Sequence, residues 1–435
     1  MTRLSAFLTG LFWISVTFAQ SLPADPSRSV PSERSSAASL QTPASLAVGR
    51  VSSTPQHPSP PTVEAAPGKS QPVPQADDPE LPKTTELPNY DSHRCSQVLP
   101  RRGQCTKLPP QADTVEIAAQ VAPRLLLAGR EMMETMRPDH PERMERAHLA
   151  LMGLSVGDAF GECFFGPAQV LQLVRSVRTL PPSPWHYTDD TEMALAVVEV
   201  LQHEGHIDQD RLASRFAERY CREPRRGYGG TAHQILRAIS EGTPWQVAAG
   251  GAFSGMGSMG NGAAMRVAPL GAYFADEFST VVAQARDSAA VTHAHPDGQA
   301  GAIAVAIAAA GACTLPRHPS LGWQILDLAI EHTPAGPTQQ GLHKARALPK
   351  GCSVDLAVSS LGSGSRILSE DTVPFALWCV AQHPADFEAA LWLTVSGLGD
   401  RDTTCAIVGG IVALISGPSS IPPSWLAARE PLNWG

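Results

Sequence analysis

Apolar residues recur at steps of three and four along most of the chain after residue 113. In the segment from Glu142 to Leu154, for example, this spacing places Met144, Ala147 and Leu151 on one helical face. Alternation of apolar and polar residues between turn signals, which would indicate β-strands, is almost absent. The pattern therefore predicts an all-α fold.

The same periodicity predicts further helices along the rest of the chain. They run from Glu192 to Gln202, Arg211 to Tyr220, Thr231 to Ser240, Ala263 to Leu270, Val281 to Val291, Ala300 to Cys313, Leu321 to Glu331, Phe375 to Ala381, Phe387 to Ser396 and Thr403 to Ile415.

Two glycine-rich stretches interrupt this pattern. In the segment from Gly153 to Glu162, small residues are expected to allow close packing and a sharp exit from the first helix. The segment from Gly250 to Gly262 is expected to form a loop that leads into a helix. Its glycines match a dinucleotide-binding spacing, but no strand precedes them. We interpret the loop as backbone that can approach a phosphate, with a plain flexible loop as the alternative.

The N-terminal part of the chain differs from the rest in composition. Between Ser21 and Ala112 lie 17 of the 39 prolines, together with abundant Ser, Gln and Thr. Such a segment buries too little apolar surface to offset the entropy cost of ordering it. We therefore expect a signal peptide at residues 1–19, a disordered linker at 20–112, an accessory helical segment at 113–143, the main domain at 144–418 and a C-terminal tail at 419–435.

Residues 1–19 have the order of a secretory signal peptide. Arg3 precedes the apolar run from Leu4 to Ala19, and small or short residues lie just before Gln20. The run is too short to span a membrane comfortably. The sequence thus predicts a secreted or periplasmic protein with no membrane span after removal of the leader. If translation instead starts at Met132 or Met133, the protein is expected to be cytoplasmic.

Charge and cysteine usage exclude two further classes of site. The net charge is -8, from 33 Lys+Arg against 41 Asp+Glu, and no basic run indicates a nucleic-acid partner. The eight cysteines contain no Cys-x-x-Cys pair and form no zinc pattern. We expect those in the main domain to be free buried thiols.

Two acidic stretches more than two hundred residues apart carry the candidate chemistry. The segments Thr188–Asp189–Asp190–Thr191 and Gly399–Asp400–Arg401–Asp402–Thr403–Thr404 each place two carboxylates and threonine hydroxyls at the start of an apolar helical run. Either stretch alone could simply cap a helix. Together they form two matching sets of hard oxygen ligands, which favour Mg²⁺ or Mn²⁺ over zinc. The sequence therefore favours a dinuclear metal site.

Four other polar residues could contribute to such a site. His293 and His295 have no partner at zinc-ligand spacing, so we expect one of them to pack or form hydrogen bonds near the site. Asp158 and Glu162 could donate or accept a proton. Their position in a glycine-rich helix exit favours the simpler interpretation that both are solvated loop acids.

Taken in order, these segments resemble the ADP-ribosylglycohydrolase family. The matching motifs are Gly157–Asp158–Ala159–Phe160–Gly161, Tyr187–Thr188–Asp189–Asp190–Thr191, Gly260–Asn261–Gly262–Ala263–Ala264–Met265–Arg266, Thr292–His293–Ala294–His295 and Gly399–Asp400–Arg401–Asp402–Thr403–Thr404. The resemblance covers residues 144–417 approximately. Two features depart from the family pattern: Leu398 stands where many members have glycine, and the leader and Pro-rich linker are atypical of a family found mostly inside cells.

The resemblance implies an all-α domain with two Mg²⁺ or Mn²⁺ ions in a cleft. Position by position, it implies the metal ligands Thr188, Asp189, Asp190, Asp400, Asp402 and Thr403. It also implies that the loop from Ser258 to Ala263 holds the diphosphate and ribose, and the substrate-binding residues are then Ser258, Gly260, Asn261, Gly262, Ala263 and His293. The acid that moves the proton is expected among Glu162, Asp190 and Asp402.

The function expected from these residues is hydrolysis of the glycosidic bond between ADP-ribose and an acceptor. The partner would be an ADP-ribosylated protein or a small ADP-ribose conjugate, and the enzyme is expected to be a monomer. Two alternatives belong to other classes. One is a non-catalytic ADP-ribose binder or structural relative, and the other is a metal-free glycosidase with two catalytic carboxylates. The latter explains the acids but not the paired threonines.

Overall fold

The computed structural model describes residues 139–166 and 176–434 of the 435-residue chain. The expected signal peptide, the Pro-rich linker and residues 113–138 of the expected accessory segment lie outside these residues. The described part forms helices and two isolated β-bridges, with no strand among these residues. The prediction of an all-α fold is confirmed.

The fold contains the following α-helices, numbered in chain order. They are α1 His140–Glu162, α2 Asp189–Glu204, α3 Gln209–Arg222, α4 Gly230–Ser240, α5 Trp245–Gly255, α6 Ala268–Tyr273, α7 Phe278–Ala290, α8 Pro296–Thr314, α9 Leu321–His332, α10 Pro337–Ala347, α11 Val354–Leu361, α12 Ser369–Gln382, α13 Phe387–Val395, α14 Arg401–Ser416 and α15 Pro423–Ala428.

Most predicted helices are present, but several of their boundaries differ from the prediction. The segment Gly153 to Glu162 is not a helix exit, because α1 continues to Glu162. The expected loop from Gly250 to Gly262 starts slightly too early, since Gly250 and Gly251 still belong to α5, whereas the backbone of Ala252, Phe253 and Ser254 is non-helical. Likewise, the helix expected from Ala263 to Leu270 is a 3-10 turn followed by the short helix α6. The periodicity does not indicate α5, α10, α11 or α15.

Helix α1 packs against α14 at backbone distance, and glycines make this approach possible. A Cβ atom on Gly153 would lie 2.3 Å from the carbonyl oxygen of Gly409, and one on Gly157 would lie 2.1 Å from that of Cys405. At Gly161 the corresponding distance to the Arg401 carbonyl oxygen is 2.2 Å. Because these glycines recur every fourth residue, they form one face of α1. Glycine is unfavourable within a helix, but here no larger residue fits.

Helix α8 forms the centre of the core beside this pair. All but a few of its residues are buried, including Ile303, Val305 and Ile307. Helix α6 approaches the backbone of α8 closely at Gly271. A Cβ on Gly271 would lie only 2.0 Å from the carbonyl oxygen of Ala306 in α8, so this contact requires glycine. A helix that is apolar on all sides is typical of the interior of a large domain.

The residues after Gly417 pack against the same domain. Trp425 of α15 is buried and stacks on Phe160 of α1, with ring centroids 4.6 Å apart. It also contacts Trp185 edge to face at 5.5 Å. This aromatic cluster therefore connects the C-terminal residues to α1 and to the segment that precedes α2.

Two remaining expectations concern cysteines and membranes. Among the cysteines of the described part, Cys379 and Cys405 are free and buried, whereas Cys163, Cys313 and Cys352 are free but only partly buried. No helix within residues 139–166 and 176–434 has both the length and the apolar character needed to cross a membrane.

The substitution Gly157→Ala tests the close packing of α1 on α14. Its methyl group would overlap the backbone of Cys405, so we expect the free energy of unfolding to fall by about 3 kcal/mol. Urea unfolding measures the change. The matched control is Gly251→Ala in α5, where a Cβ has no neighbour within 4 Å and helix propensity favours alanine. Equal stability of the two variants would contradict the packing argument.

Candidate active site

The first acidic stretch forms the N-terminus of α2. Thr188 is the N-cap residue, and its hydroxyl accepts from the backbone N–H of Asp190 at 3.4 Å. Asp189 and Asp190 follow in the first turn and are 8% and 1% exposed. The stretch therefore caps a helix, which was the simpler of the two interpretations of its sequence. Capping alone does not explain why two carboxylates are buried, because burying charged groups is unfavourable unless they are compensated.

The carboxylate of Asp158 in α1 binds this stretch through several hydrogen bonds. Its carboxylate accepts from the backbone N–H of Thr188 at 3.0 Å and of Thr191 at 3.1 Å. The two hydroxyls also donate to it, at 2.8 Å from Thr188 and 2.5 Å from Thr191. Asp158 is completely buried, so the interpretation as a solvated loop acid is wrong. The error follows from placing the helix end too early, since an Asp between Gly157 and Gly161 lies inside a continuing α1.

The second stretch forms the N-terminus of α14 and meets the first. Asp400 is the N-cap residue, and Asp402 and Thr403 lie in the first turn. The Thr403 hydroxyl donates to Asp190 Oδ2 at 3.4 Å, although the two residues are 213 positions apart. The structure thus brings the two predicted ligand sets together through the contact of α1 with α14.

The crowded carboxylates repel one another in a buried environment. Burial is the main reason that the pKa values of Asp189, Asp190 and Asp402 lie well above the usual range, and neighbouring carboxylates raise them further. Burial likewise raises the pKa of Asp400, and that of Asp158 to about 6. Such a cluster is expensive unless positive charge compensates it.

The carboxylates fit a hard cation. Asp190 Oδ1 and Asp402 Oδ1 are buried and have no hydrogen-bond partner among the described residues. Buried polar oxygens without a partner are uncommon, and a cation would satisfy them. In the described part of the chain, no three His, Cys, Asp or Glu side chains converge closely enough to hold a metal by themselves. Threonine hydroxyls and water would therefore have to complete a ligand set.

Asn261 connects the glycine-rich loop to this cluster. Its side-chain amide donates to Asp400 Oδ2 at 2.6 Å and to the Thr372 hydroxyl at 3.0 Å. Its backbone N–H donates to the Ile367 carbonyl at 3.2 Å. Asn261 is only 3% exposed, so it orients a carboxylate of the cluster in addition to any contact with a ligand.

The other predicted substrate-binding residues lie around Asn261. The Ser258 hydroxyl accepts from the Gly260 backbone N–H at 3.1 Å, which stabilises the turn. Gly262 lies against the imidazole of His293, where a Cβ would be 3.1 Å from Cε1. Ala263 is completely buried, so its methyl group cannot contact a ligand.

The two histidines have different roles in the structure. His293 is 8% exposed, and its Nδ1 lies 2.8 Å from the Thr292 hydroxyl. Burial, with a smaller contribution from Arg266, lowers the pKa of His293 to about 3, so its ring is neutral. His295 is the N-cap of α8 and accepts from the backbone N–H of Asp297 at 3.1 Å. The hydrogen bonds of these two histidines agree with the expectation that one of them packs or forms hydrogen bonds near the site.

Arg266, which the sequence indicates only as part of a motif, is a buried cation behind the cluster. Its guanidinium donates to the carbonyls of Ser288 at 2.8 Å and Gly262 at 3.3 Å, and it stacks over Phe216 at 4.4 Å. Burial lowers the pKa of Arg266 to about 9, while Asp189 raises it. The electrostatic attraction between Arg266 and Asp189 offsets part of the repulsion within the cluster.

Glu162 and Leu398 lie at the accessible side of the site. Glu162 ends α1, and its side chain is exposed. The protein surrounding its carboxylate still removes part of its hydration, and this desolvation, followed by the charges of Asp158 and Asp400, raises the pKa of Glu162. Leu398 has φ 59°, a left-handed conformation in which glycine carries no steric penalty. A glycine at this position would adopt the same conformation without that penalty.

The substitution His293→Asn tests the neutral state of this buried imidazole. The native pKa lies below the unfolded value of 6.5, so stability is full above pH 6.5 and is lost as pH falls. For wild type we expect this residue to account for a loss of about 2 kcal/mol between pH 7 and pH 5. The variant should lack that loss when unfolding is measured by urea in EDTA. The exposed His318→Asn serves as control, and an unchanged pH dependence in His293→Asn would refute the assignment.

Comparisons with known proteins agree with the sequence motifs. A profile of the ADP-ribosylglycohydrolase family matches residues 139–434. ADP-ribosylhydrolase ARH3 of Homo sapiens is 30% identical over 328 residues, which cover 66% of this chain and 90% of that protein. The ADP-ribosyl-(dinitrogen reductase) glycohydrolase of Rhodospirillum rubrum is 28% identical over 305 residues, covering 67% of this chain and 92% of that protein.

A third relative is similar to the same extent. ADP-ribosylhydrolase ARH3 of Danio rerio is 30% identical over 324 residues, which cover 66% of this chain and 87% of that protein. The profile match includes all five sequence motifs and extends over more than half of the residues. The chain therefore belongs to the ADP-ribosylglycohydrolase family.

Proposed function

We propose that this protein is a metal-dependent hydrolase that cleaves the glycosidic bond between ADP-ribose and an acceptor. The observation that carries the proposal is the meeting of two Thr–Asp sets through the Thr403–Asp190 hydrogen bond, with two carboxylate oxygens left buried and without a partner. The relatives support the substrate class, because they are named as ADP-ribosylhydrolases and an ADP-ribosyl-(dinitrogen reductase) glycohydrolase. The acceptor would be a protein side chain or a small conjugate.

The residues proposed to hold two Mg²⁺ or Mn²⁺ ions are Thr188, Asp189, Asp190, Asp400, Asp402 and Thr403. When bound, the ions would supply the positive charge that compensates these carboxylates and polarises the reacting oxygen atoms. The surrounding chain keeps the ligands in place. Asp158 fixes the first set through the Thr188 and Thr191 hydrogen bonds, and Asn261 fixes Asp400.

Glu162 is the best placed of the three candidate acids to move a proton. Asp190 and Asp402 each have a buried oxygen that suits a ligand, whereas the Glu162 carboxylate is exposed at the end of α1. Its neighbour Gly161 packs on the first turn of α14, so Glu162 lies at the edge of the carboxylate cluster. A general acid or base must reach the substrate, and only an accessible group can do so.

Two kinds of substitution separate ligands from the proton-transfer group. Asp190→Asn or Asp402→Asn should weaken Mn²⁺ binding by at least about 100-fold, because the anionic ligand is lost, and should abolish ADP-ribose release. Glu162→Gln should leave Mn²⁺ affinity unchanged and lower kcat by about 10²- to 10⁴-fold. Calorimetry measures the affinity, and chromatography of released ADP-ribose measures the rate.

The surface variant Asp327→Asn, which breaks an exposed ion pair with Arg346, serves as the control for both measurements. Near-normal turnover by Asp190→Asn or Asp402→Asn in a folded protein would refute the proposed mechanism. A Glu162→Gln variant with wild-type kcat would remove Glu162 from the reaction while leaving the ligand assignment intact.

Removal and return of metal test the function itself. We expect the protein to release ADP-ribose from at least one of a panel of conjugates, including ADP-ribosyl-serine and ADP-ribosyl-arginine peptides, and EDTA to abolish this turnover. Added Mg²⁺ or Mn²⁺ should restore it, because the carboxylate cluster then regains its compensating charge. Binding of ADP-ribose with no cleavage of any conjugate would favour the alternative of a non-catalytic binder.

A further inference from the structure

The C-terminal residues run alongside the segment that leads into the first acidic stretch. The backbone N–H of Trp185 donates to the Ala428 carbonyl at 2.7 Å, and that of Glu430 donates to the Trp185 carbonyl at 2.9 Å. These two bonds form a parallel bridge between Trp185 and Arg429. The position of Glu430 relative to Tyr187 is therefore fixed by backbone hydrogen bonds.

The Glu430 carboxylate binds three groups around this segment. It accepts from the Tyr187 backbone N–H at 3.1 Å and lies 3.0 Å from His186 Nδ1. It also forms an ion pair with Arg226, which donates to it through Nη1. The side chains of Glu430 and Arg226 are each only 18% exposed, so the loss of one would leave the other charge poorly solvated.

Arg226 contacts the chain on both sides of Thr188. Its guanidinium donates to the Tyr187 carbonyl at 3.0 Å and stacks over the Tyr187 ring at 4.3 Å. Its own backbone carbonyl accepts from the Asp189 N–H at 2.6 Å. A single residue thus orients the residue before the N-cap and the first carboxylate after it.

This contact opposes a specific electrostatic force. When they are ionised, Asp158, Asp189 and Asp190 repel one another, and this repulsion acts between the N-terminus of α2 and α1. The hydrogen bonds to Asp158 resist that force from inside the protein. Glu430 and Arg226 resist it from the outer side, together with the packing of Trp185 on Phe160 and Trp425.

We propose that Glu430 and Arg226 are positioning residues that hold Tyr187 and Asp189 in the backbone conformation that presents the first Thr–Asp set to the metal ions. The inference rests on the proposed function for the identity of the ligand. The positioning itself concerns the backbone and can be measured without metal.

The test uses the full-length chain with three variants: Glu430→Gln, Arg226→Met and the double variant. Hydrogen exchange in EDTA is followed by mass spectrometry for the peptide that contains Asp189, and Mn²⁺ affinity is measured by calorimetry. We expect faster exchange of that peptide and a loss of about tenfold in Mn²⁺ affinity for each single variant. The double variant should lose less than the sum of the two single losses, since the ion pair between the two side chains is broken in each single variant.

The control is Asp276→Asn, which removes an acidic partner that Arg143 and Arg146 share near the N-terminal end of α1. Arg146 lies twelve residues before Asp158, or about 18 Å along the helix, so local exchange and Mn²⁺ affinity should stay at wild-type values. Melting temperatures of all variants in EDTA show whether a substitution lowers the stability of the whole domain. If a general loss of stability caused faster exchange at Asp189, a control variant with a similarly lowered melting temperature would show it too.

The outcomes separate the inference from the proposed function. Faster exchange at Asp189 in a protein whose wild type binds no Mn²⁺ would support the positioning role and refute the metal site. Wild-type Mn²⁺ binding with unchanged exchange and affinity in both single variants would overturn the positioning role alone.

Discussion

The contact between α1 and α14 is the interaction on which the site depends. Gly153, Gly157 and Gly161 bring the two backbones so close that the C-terminal half of α1 lies against the first turn of α14. Asp158 projects from one helix, and Asp400 and Asp402 begin the other. The same geometry that fills the core therefore collects the acidic groups, and larger residues at the glycine positions would separate the two halves of the site before they changed any ligand.

The fold holds these carboxylates against their mutual repulsion through several weak interactions. These are the hydrogen bonds to Asp158, the amide of Asn261 on Asp400, and the buried Arg266 behind Asp189. No one of them neutralises the cluster. A site that remains short of positive charge in its folded form is suited to attract cations, and the rigid surroundings reduce the reorganisation that binding them requires.

The sequence predicts the helical class and both acidic stretches because these features depend on local pattern and residue type. It fails where tertiary packing overrides local preference. Glycines normally end helices, so the local pattern predicts that α1 stops before Asp158 and that this residue is a solvated acid; burial against α14 reverses both conclusions. Helix α12 begins at Ser369, several residues before the predicted start at Phe375. Proline normally disfavours the interior of a helix, so the local pattern places the start after Pro374, but the structure accommodates this proline inside α12. The roles of Asn261, Arg226 and Glu430 depend on contacts between distant segments, for which one sequence offers no local signal.

Two contacts of the site join residues that are far apart in the sequence: Thr403 lies 213 positions from Asp190, and Glu430 lies 243 positions from Tyr187. This separation has a consequence for how the protein forms during synthesis. Helix α14 and the residues that pair with Trp185 are synthesised long after α1, so a nascent chain exposes the glycine face of α1 and keeps Asp158 hydrated until these later segments have emerged. Non-local contacts of this kind form slowly and late. The electrostatic cost of joining the two acidic stretches therefore arises only when α14 docks, and chains that stop before α14 lack the assembled carboxylate cluster.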